Sequence, residues 1–253
     1  MKSGALLQVH REDELCRLNL NRPERHNALV PELLQALLTE LDTLSASPPR
    51  ALILAANGRS FSTGGDLREF WEQRDSIGAY AHRLVGLLNQ VILALRGFPA
   101  PVICAVNGIV CGGSLGLLLA SDIVLLSERA TITPYYGQVG FSPDGGWTAL
   151  LPQVIGSSRV AELLFDNASL EPGEAVARGL ASRIDPQPLE AAHRLGSRFG
   201  KLEAGSARTA KQLLNGDLDA VAARLERERE TFVAQAQTPE ALAGIRRFLR
   251  IQP

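Results

Sequence analysis

The sequence predicts an α/β fold, and three observations carry that prediction. Up to about residue 186, short apolar segments alternate with glycine-rich loops and amphipathic helical patterns. Beyond that point helical patterns dominate, so a helical tail is expected after the mixed region. The chain has 253 residues, 45% of them hydrophobic. A chain of that size buries roughly 70–75% of its unfolded surface and needs no covalent staple.

The elements follow in order. Residues 5–10 and 16–20 read as short strands around the polar turn Arg11-Glu12-Asp13-Glu14. Asn21-Arg22-Pro23 breaks the pattern. Pro31 opens a helix with Leu33, Leu34, Leu37, Leu38 and Leu41 on one face. Residues 51–55 form a buried strand, 57–65 a polar glycine-rich loop, and Asp66 caps a helix starting at Leu67. A long helix follows, with Ile77, Tyr80, Leu84, Leu87, Leu88, Val91 and Leu95 at helical spacing, and Phe98-Pro99-Ala100-Pro101 ends it. Residues 102–106 are again a buried strand. A second glycine-rich loop, 107–116, leads into an apolar helix and the strand 123–126. A third loop, 140–146, precedes a helix expected over 147–151. The division expected from this pattern is a core over 1–190 and a helical region over 191–253. That tail reads as a lid or an oligomerisation element.

Composition excludes several classes. Charged residues make up 21% and the formal net charge is -1, so nothing points to nucleic acid or an anionic membrane as main partner. No stretch approaches the ~20 apolar residues of a membrane span. Cys16, Cys104 and Cys111 form no C-x-x-C pair and read as buried thiols in a reducing compartment. With no signal-peptide pattern at Met1-Lys2-Ser3-Gly4-Ala5, the expected location is the cytoplasm. His10, His26, His82 and His193 show no metal spacing, and no metal is expected. The P-loop pattern is missing.

Glycine lets a backbone approach a ligand closely. Two such loops, each delivering an N–H at a helix start, can build an oxyanion hole of the kind a thioester carbonyl uses. On glycine content alone, tight turns and close helix packing are the better reading.

Ordered motifs go further. Asn21-Arg22-Pro23-Glu24-Arg25-His26-Asn27-Ala28-Leu29 fits N-R-P-x-x-x-N-A-L, and Phe61-Ser62-Thr63-Gly64-Gly65-Asp66-Leu67 fits F-x-x-G-x-D-[LI]. Val106-Asn107-Gly108-Ile109-Val110-Cys111-Gly112-Gly113-Ser114-Leu115-Gly116 fits V-N-G-x-x-x-G-G-G-x-x, and Ala120-Ser121-Asp122-Ile123 completes that block. Gly140–Gly146 with Leu151-Pro152 and Ile155-Gly156, then Glu174-Ala175 with Gly179-Leu180, continue the match. In this pattern the chain resembles the enoyl-CoA hydratase/isomerase, or crotonase, superfamily. It is closest to that family's single-aspartate isomerases, such as those of phenylacetate breakdown.

The resemblance implies a spiral of repeated ββα units and C-terminal helices that build trimers, often paired into hexamers. It implies an acyl-CoA thioester as substrate partner and no separate cofactor, since coenzyme A enters with the substrate. Gly65 and Gly113 match the glycines whose N–H groups hold the thioester oxygen. Arg25 and Ala28 lie in the stretch lining the CoA nucleotide end. Ser62, Gly64, Asp66 and Leu67 belong to the first oxyanion loop, and Arg68 is placed to reach a phosphate. Each arginine is equally compatible with a solvated surface.

The acids decide the chemistry. The family's hydratases carry glutamates at the positions of Gly116 and Tyr136, so both are absent here. Glycine moves no protons, and a phenol of pKa ~10 is a poor base at neutral pH. Asp144 remains, at the position where some family isomerases place one catalytic aspartate. Its other reading is the N-cap of the next helix. Tyr135, Tyr136, Phe141 and Trp147 are expected to wall it, and Tyr80, Trp71 and the paired tyrosines are candidates for the acyl pocket or the core, with Leu84 expected in the core. The expected activity is therefore isomerisation, with hydration, another lyase or hydrolase reaction, or acyl-CoA binding without turnover as alternatives. A dehalogenase branch pairs the same aspartate with a tryptophan and a histidine, where this chain has Tyr136 and Asn89. Gly112-Gly113-Ser114-Leu115-Gly116 also satisfies G-x-S-x-G, with Ser114, Asp144 and His193 in serine-hydrolase order. A good elbow, however, needs a strand ending immediately before the serine.

Overall fold

Two sheets organise the molecule, seen in a computed structural model that describes residues 5–12 and 14–252. Asp13, placed in the first turn by the sequence, and residues 1–4 lie outside the described residues. Strands β1 (Leu7–Glu12) and β2 (Leu15–Leu20) form an antiparallel hairpin, with Glu12 opposite Leu15. The first strand runs two residues beyond its expected end, because pairing carries it through the polar turn. Helix α1 (Pro31–Ala46) buries Leu33, Leu34, Leu37 and Leu41, as its spacing predicts. Truncating any one of these leucines to alanine removes about 2–5 kcal/mol of stability.

The spiral is visible in how strands are shared. β3 (Ala51–Ala56), β5 (Val102–Val106) and β7 (Ile123–Leu126) join a six-stranded sheet, while β4 (Ser60–Ser62), β6 (Ile109–Cys111) and β8 (Ile132–Thr133) form a three-stranded one. Each turn gives one strand to each sheet and then a helix. The helices are α2 (Leu67–Glu72) and α3 (Ile77–Gly97) in one turn, α4 (Leu115–Leu119) in the next, then α5 (Tyr136–Val139). The large sheet runs β1-β2-β3-β5-β7-β9, with β9 (Arg183–Ile184) at its edge, and every pairing after the hairpin is parallel. Parallel strands buried on both faces read as unbroken apolar runs, as 51–55 and 102–106 do. Between β8 and β9 lie α6 (Leu151–Ile155), α7 (Ser157–Asp166) and α8 (Pro172–Ala177) after α5.

The tail holds α9 (Pro188–Phe199), α10 (Ala204–Asn215), α11 (Leu218–Ala236) and α12 (Pro239–Leu249). Ala191 and Ala192 of α9 cover the sheet face formed by Ala51, Ile53, Ile103 and Leu125. α11 folds back along α3, where the Asn89 amide donates to the Leu225 carbonyl at 3.0 Å. Val221, Leu225, Phe232 and Ile245 thereby join the main core. No described helix is long and apolar enough to cross a membrane.

Two local expectations are corrected. The segment 107–116 is not all loop: β6 pairs with β4 and β8 inside it, and α4 starts at Leu115. No helix runs over 147–151. That stretch is a series of turns after Gly145 and Gly146, whose φ values are +62° and +88°, and the helix starts only at Leu151. Positive φ at consecutive glycines is incompatible with a right-handed helix, and Pro152 belongs in a first turn.

Candidate active site

One cavity of about 270 Å³ gathers six of the residues that the motifs single out, while Arg25, Ala28, Ser62, Asp66 and Arg68 lie outside its lining. Its walls include Gly64, Gly65, Leu67, Gly112, Gly113, Tyr136 and Asp144, with Leu84, Leu88, Phe141, Phe232 and Phe248 supplying apolar surface. Asp144 is the only carboxylate among the described lining residues.

The first wall comes from the turn between β4 and α2. Gly64 has φ +75°, and a Cβ there would lie 2.7 Å from the Cys111 carbonyl, so only glycine brings the two loops this close. The bridge between Leu29 and Gly65 uses the Gly64 carbonyl and the Asp66 N–H. The Gly65 N–H meets no protein acceptor among the described residues. Asp66 caps α2, accepting from the Arg68 N–H at 3.0 Å as expected. It also receives Arg22 at 2.6 Å and Arg25 at 2.7 Å. Burial acts to raise the Asp66 carboxyl, but the bonds from Arg25 and then Arg22 outweigh it and hold the group below its usual range. Arg25 therefore ties the loop 64–66 to the segment 22–28. Arg22, whose guanidinium also reaches the Ala28 carbonyl, shares that work and was not singled out from the sequence. The Ser62 hydroxyl donates to the Asn27 carbonyl at 2.8 Å. Arg68 is exposed on the first turn of α2.

The second wall is the 3₁₀ turn Gly112–Ser114 that opens α4. Gly113 occupies its second position, where a backbone N–H has no partner within the helix. Ser114 is fully buried, and its hydroxyl lies 2.7 Å from the Cys111 carbonyl and 3.0 Å from the Ser62 carbonyl. His193 sits on α9 near Arg17 and Glu12, on the hairpin side of the large sheet. The G-x-S-x-G pattern is thus a buried tie between loops, and no serine triad assembles.

The third wall carries the acid. Asp144 does not cap a helix. Its carboxyl is buried, and the Tyr136 hydroxyl donates to Oδ1 at 2.7 Å. A Cβ built on Gly113 would lie 2.8 and 2.9 Å from the two carboxylate oxygens, so the carboxyl rests directly over that glycine. Gly145 follows the same logic: its Cβ would lie 2.3 Å from the Gly113 carbonyl. The second and third loops therefore dock glycine against glycine. Burial pushes the Asp144 carboxyl up to about 7, while the Tyr136 bond works the other way. Burial and the neighbouring Asp144 charge push the Tyr136 phenol well above its ordinary value, so it stays a donor.

The position of the first hydratase glutamate is closed. A Cβ on Gly116 would lie 2.5 Å from Ile92 Cδ1 and 2.8 Å from the Gly145 carbonyl. Asn89, at the dehalogenase histidine position, holds the Leu225 carbonyl.

Some expected wall residues fall elsewhere. Trp147 is buried behind Tyr136, edge-on to it, and donates to the Gly112 carbonyl at 2.8 Å. It braces the second loop and does not line the cavity. Tyr80 packs edge-on against Phe70, and Trp71 carries Arg74 over its ring, so neither reaches the cavity. Phe232 and Phe248, from α11 and α12, do reach it and were not identified from the sequence. Phe232 repeats the apolar stripe of α11, a signal that reads equally well as ordinary core packing.

A spiral of ββα turns with two glycine-rich loops and one buried carboxyl around an apolar cavity defines a class. The enoyl-CoA hydratase/isomerase family model matches residues 10–251, and the chain belongs to that family. A putative enoyl-CoA hydratase of Thermus thermophilus is 36% identical over 77% of this chain and 78% of its own length. Enoyl-CoA delta isomerase 2 of Rattus norvegicus is 27% identical over 97% of this chain and 63% of its own. The crystal structure of a putative enoyl-CoA hydratase/isomerase from Acinetobacter baumannii superposes with TM-score 0.89 at 26% identity, covering 98% of this chain and 100% of that one. Relatives therefore carry both hydratase and isomerase names.

Proposed function

We propose that this protein is an enoyl-CoA isomerase that shifts a carbon–carbon double bond relative to the thioester, with Asp144 as the single proton shuttle. The observation that carries this reading is the lone buried carboxyl lying over Gly113 inside an apolar cavity. The Gly65 and Gly113 N–H groups hold the thioester oxygen. The Asp144 carboxylate removes a proton from the carbon next to the carbonyl, and the electrons spread into a dienolate held by those donors. The same group, now protonated, returns the proton at the γ-carbon, so protons and charge balance without water. A base with a pKa near the working pH is matched to that shuttle.

Hydration would need a second acid–base group to activate water. Gly116 leaves no room for one, and Tyr136 is a donor to Asp144. Leu67 and the apolar cavity take the acyl portion. Ala28, Ser62 and Gly64 shape the first loop, Arg25 and Asp66 hold it, and exposed Arg68 meets a CoA phosphate. Exposed Phe165, Leu213 and Leu214 offer apolar surface that a trimer, or a dimer of trimers, would cover.

The test is a panel of 3-enoyl- and 2-enoyl-CoAs of short, long and aromatic acyl groups, each followed for isomerisation, hydration and thioester hydrolysis. Isomerisation is expected to exceed hydration by about 10²-fold or more, the scale of one acid–base catalyst. Hydration as the faster reaction would overturn the assignment.

Tyr136→Phe separates the acid from its partner. The lost bond favoured the ionised carboxyl, so its removal raises the Asp144 pKa above about 7. The base form is the active one, so the acidic limb of the kcat/KM profile moves to higher pH. Activity then drops more at pH ~6 than at pH ~9. A limb that stays in place would mean the phenol does not bind Asp144 in the working enzyme.

A further inference from the structure

We propose that Glu228, on the C-terminal helix α11, is a positioning residue for this reaction: its carboxylate binds the backbone of the segment following Asp144 and so fixes the acid over Gly113. The inference rests on the reading of Asp144 as the proton shuttle.

Glu228 is buried in the middle of the densely charged run 224–230. Its Oε2 accepts the Gly146 N–H at 2.7 Å. Its Oε1 accepts the Thr148 N–H at 2.6 Å, the Ala149 N–H at 2.8 Å and the Thr148 hydroxyl at 2.7 Å. Four donors converge on one side chain about 80 residues away in sequence, and a carboxylate is the only side chain that accepts at both ends. The turn 145–150 has no β-ladder of its own, and its glycines have positive φ. Without the carboxylate, three backbone N–H groups that point into the protein would lose their partner. Asp144 is two residues before the first of them, and its orientation follows from where that turn is pinned.

Helix α11 itself is fixed by Asn89 on one side and by Phe232, which packs on Phe141 with ring centroids 4.9 Å apart. Glu228 and Phe232 are one helical turn apart. One element of the tail therefore holds both the acid's loop and a wall of the acyl cavity.

The charged and titratable groups facing Glu228 are few among the described residues. Arg224 and Arg227 of its own helix line a second pocket with it, beside Thr148, and Asp144 of the third loop and Tyr136 of α5 face it from the other side. Its negative charge disfavours ionisation of Asp144, so neutralising it lowers the pH at which the acid ionises.

The experiment compares Glu228→Gln and Glu228→Asp with the unmodified enzyme, reading kcat, KM and the pH profile of isomerisation. Glu228→Gln presents an amide N–H₂ to one of the backbone donors. It should lower kcat by roughly 10²-fold, as a misplaced acid does. KM should stay nearly constant, and the acidic limb should move to lower pH. Glu228→Asp keeps the charge but is one methylene short, so kcat falls with the limb in place. A purely structural role would lower thermal stability while the folded variants kept kcat and the limb, and that result overturns the proposal. If Glu228→Gln does not fold, Glu228→Asp decides: an unchanged kcat overturns it, and a reduced kcat with constant KM supports it. Full turnover by Asp144→Asn would instead fault the shuttle reading itself. An inactive Asp144→Asn beside unaltered Glu228 variants would fault only the assignment of Glu228.

Discussion

Asp144→Asn is expected to lower isomerisation of a 3-enoyl-CoA by about 10²–10⁴-fold while binding of the CoA thioester stays nearly constant. The amide has almost the size and shape of the carboxyl, and its Oδ1 still accepts from Tyr136. Only the capacity to carry a proton is lost. The same variant should be more stable than the parent at alkaline pH. Burial raises the folded carboxyl to about 7 from an ordinary 3.8. A raised carboxyl is held protonated by the folded state while the unfolded chain has already released its proton. Stability therefore falls as pH rises from about 4, and the full penalty stands above about 7. The penalty is on the order of 2–4 kcal/mol. Thermal denaturation at pH ~5 and pH ~8.5 checks the sign, since the advantage of the asparagine variant should grow with pH. A gap that does not widen would remove the raised pKa, and unaltered turnover would remove Asp144 from the mechanism.

Gly113→Ala is the second large effect. The new methyl would stand 2.8 and 2.9 Å from the Asp144 oxygens, closer than real contacts allow. Either the carboxyl swings away or the 3₁₀ turn shifts, and both disturb the acid together with the oxyanion donor of the proposed mechanism. Losing one such donor costs about 10²–10³-fold in kcat, and overpacking costs about 1–3 kcal/mol in stability. Turnover and melting temperature of the purified variant are the readouts. Near-normal turnover would show that the acid does not rest over Gly113 in solution.

These two residues also mark how far the sequence reaches. The α/β class, the long helix α3, the apolar strands and the cap at Asp66 follow from periodicity and local chemistry, because the interactions that form them lie within a few residues. The glycines at 64, 65 and 113 stand out for the same reason: motif spacing preserves them in one dimension. Asp144 was legible as the remaining acid in the third loop. Tyr136 was legible as a wall residue, but its hydrogen bond to Asp144 was not, because that bond forms only where α5 turns back. The helix expected over 147–151 failed because apolar pattern alone does not register two glycines at positive φ or a carboxylate supplied from another element.

Glu228 shows the limit most clearly. In the charged run 224–230 it reads as a solvated residue, and the only internal signal is its place on the stripe of Val221, Leu225 and Phe232. By itself the sequence determined the family, through its ordered motifs, and the α/β class, through its hydrophobic period, because both are properties of the chain. Tertiary structure alone decided that Gly116 has no space for an acid, that Ser114 is a buried tie, that Phe232 and Phe248 close the cavity and that Glu228 grips the turn after Asp144. Packing distance and desolvation depend on which distant segments meet, and the chain's own order does not record that meeting.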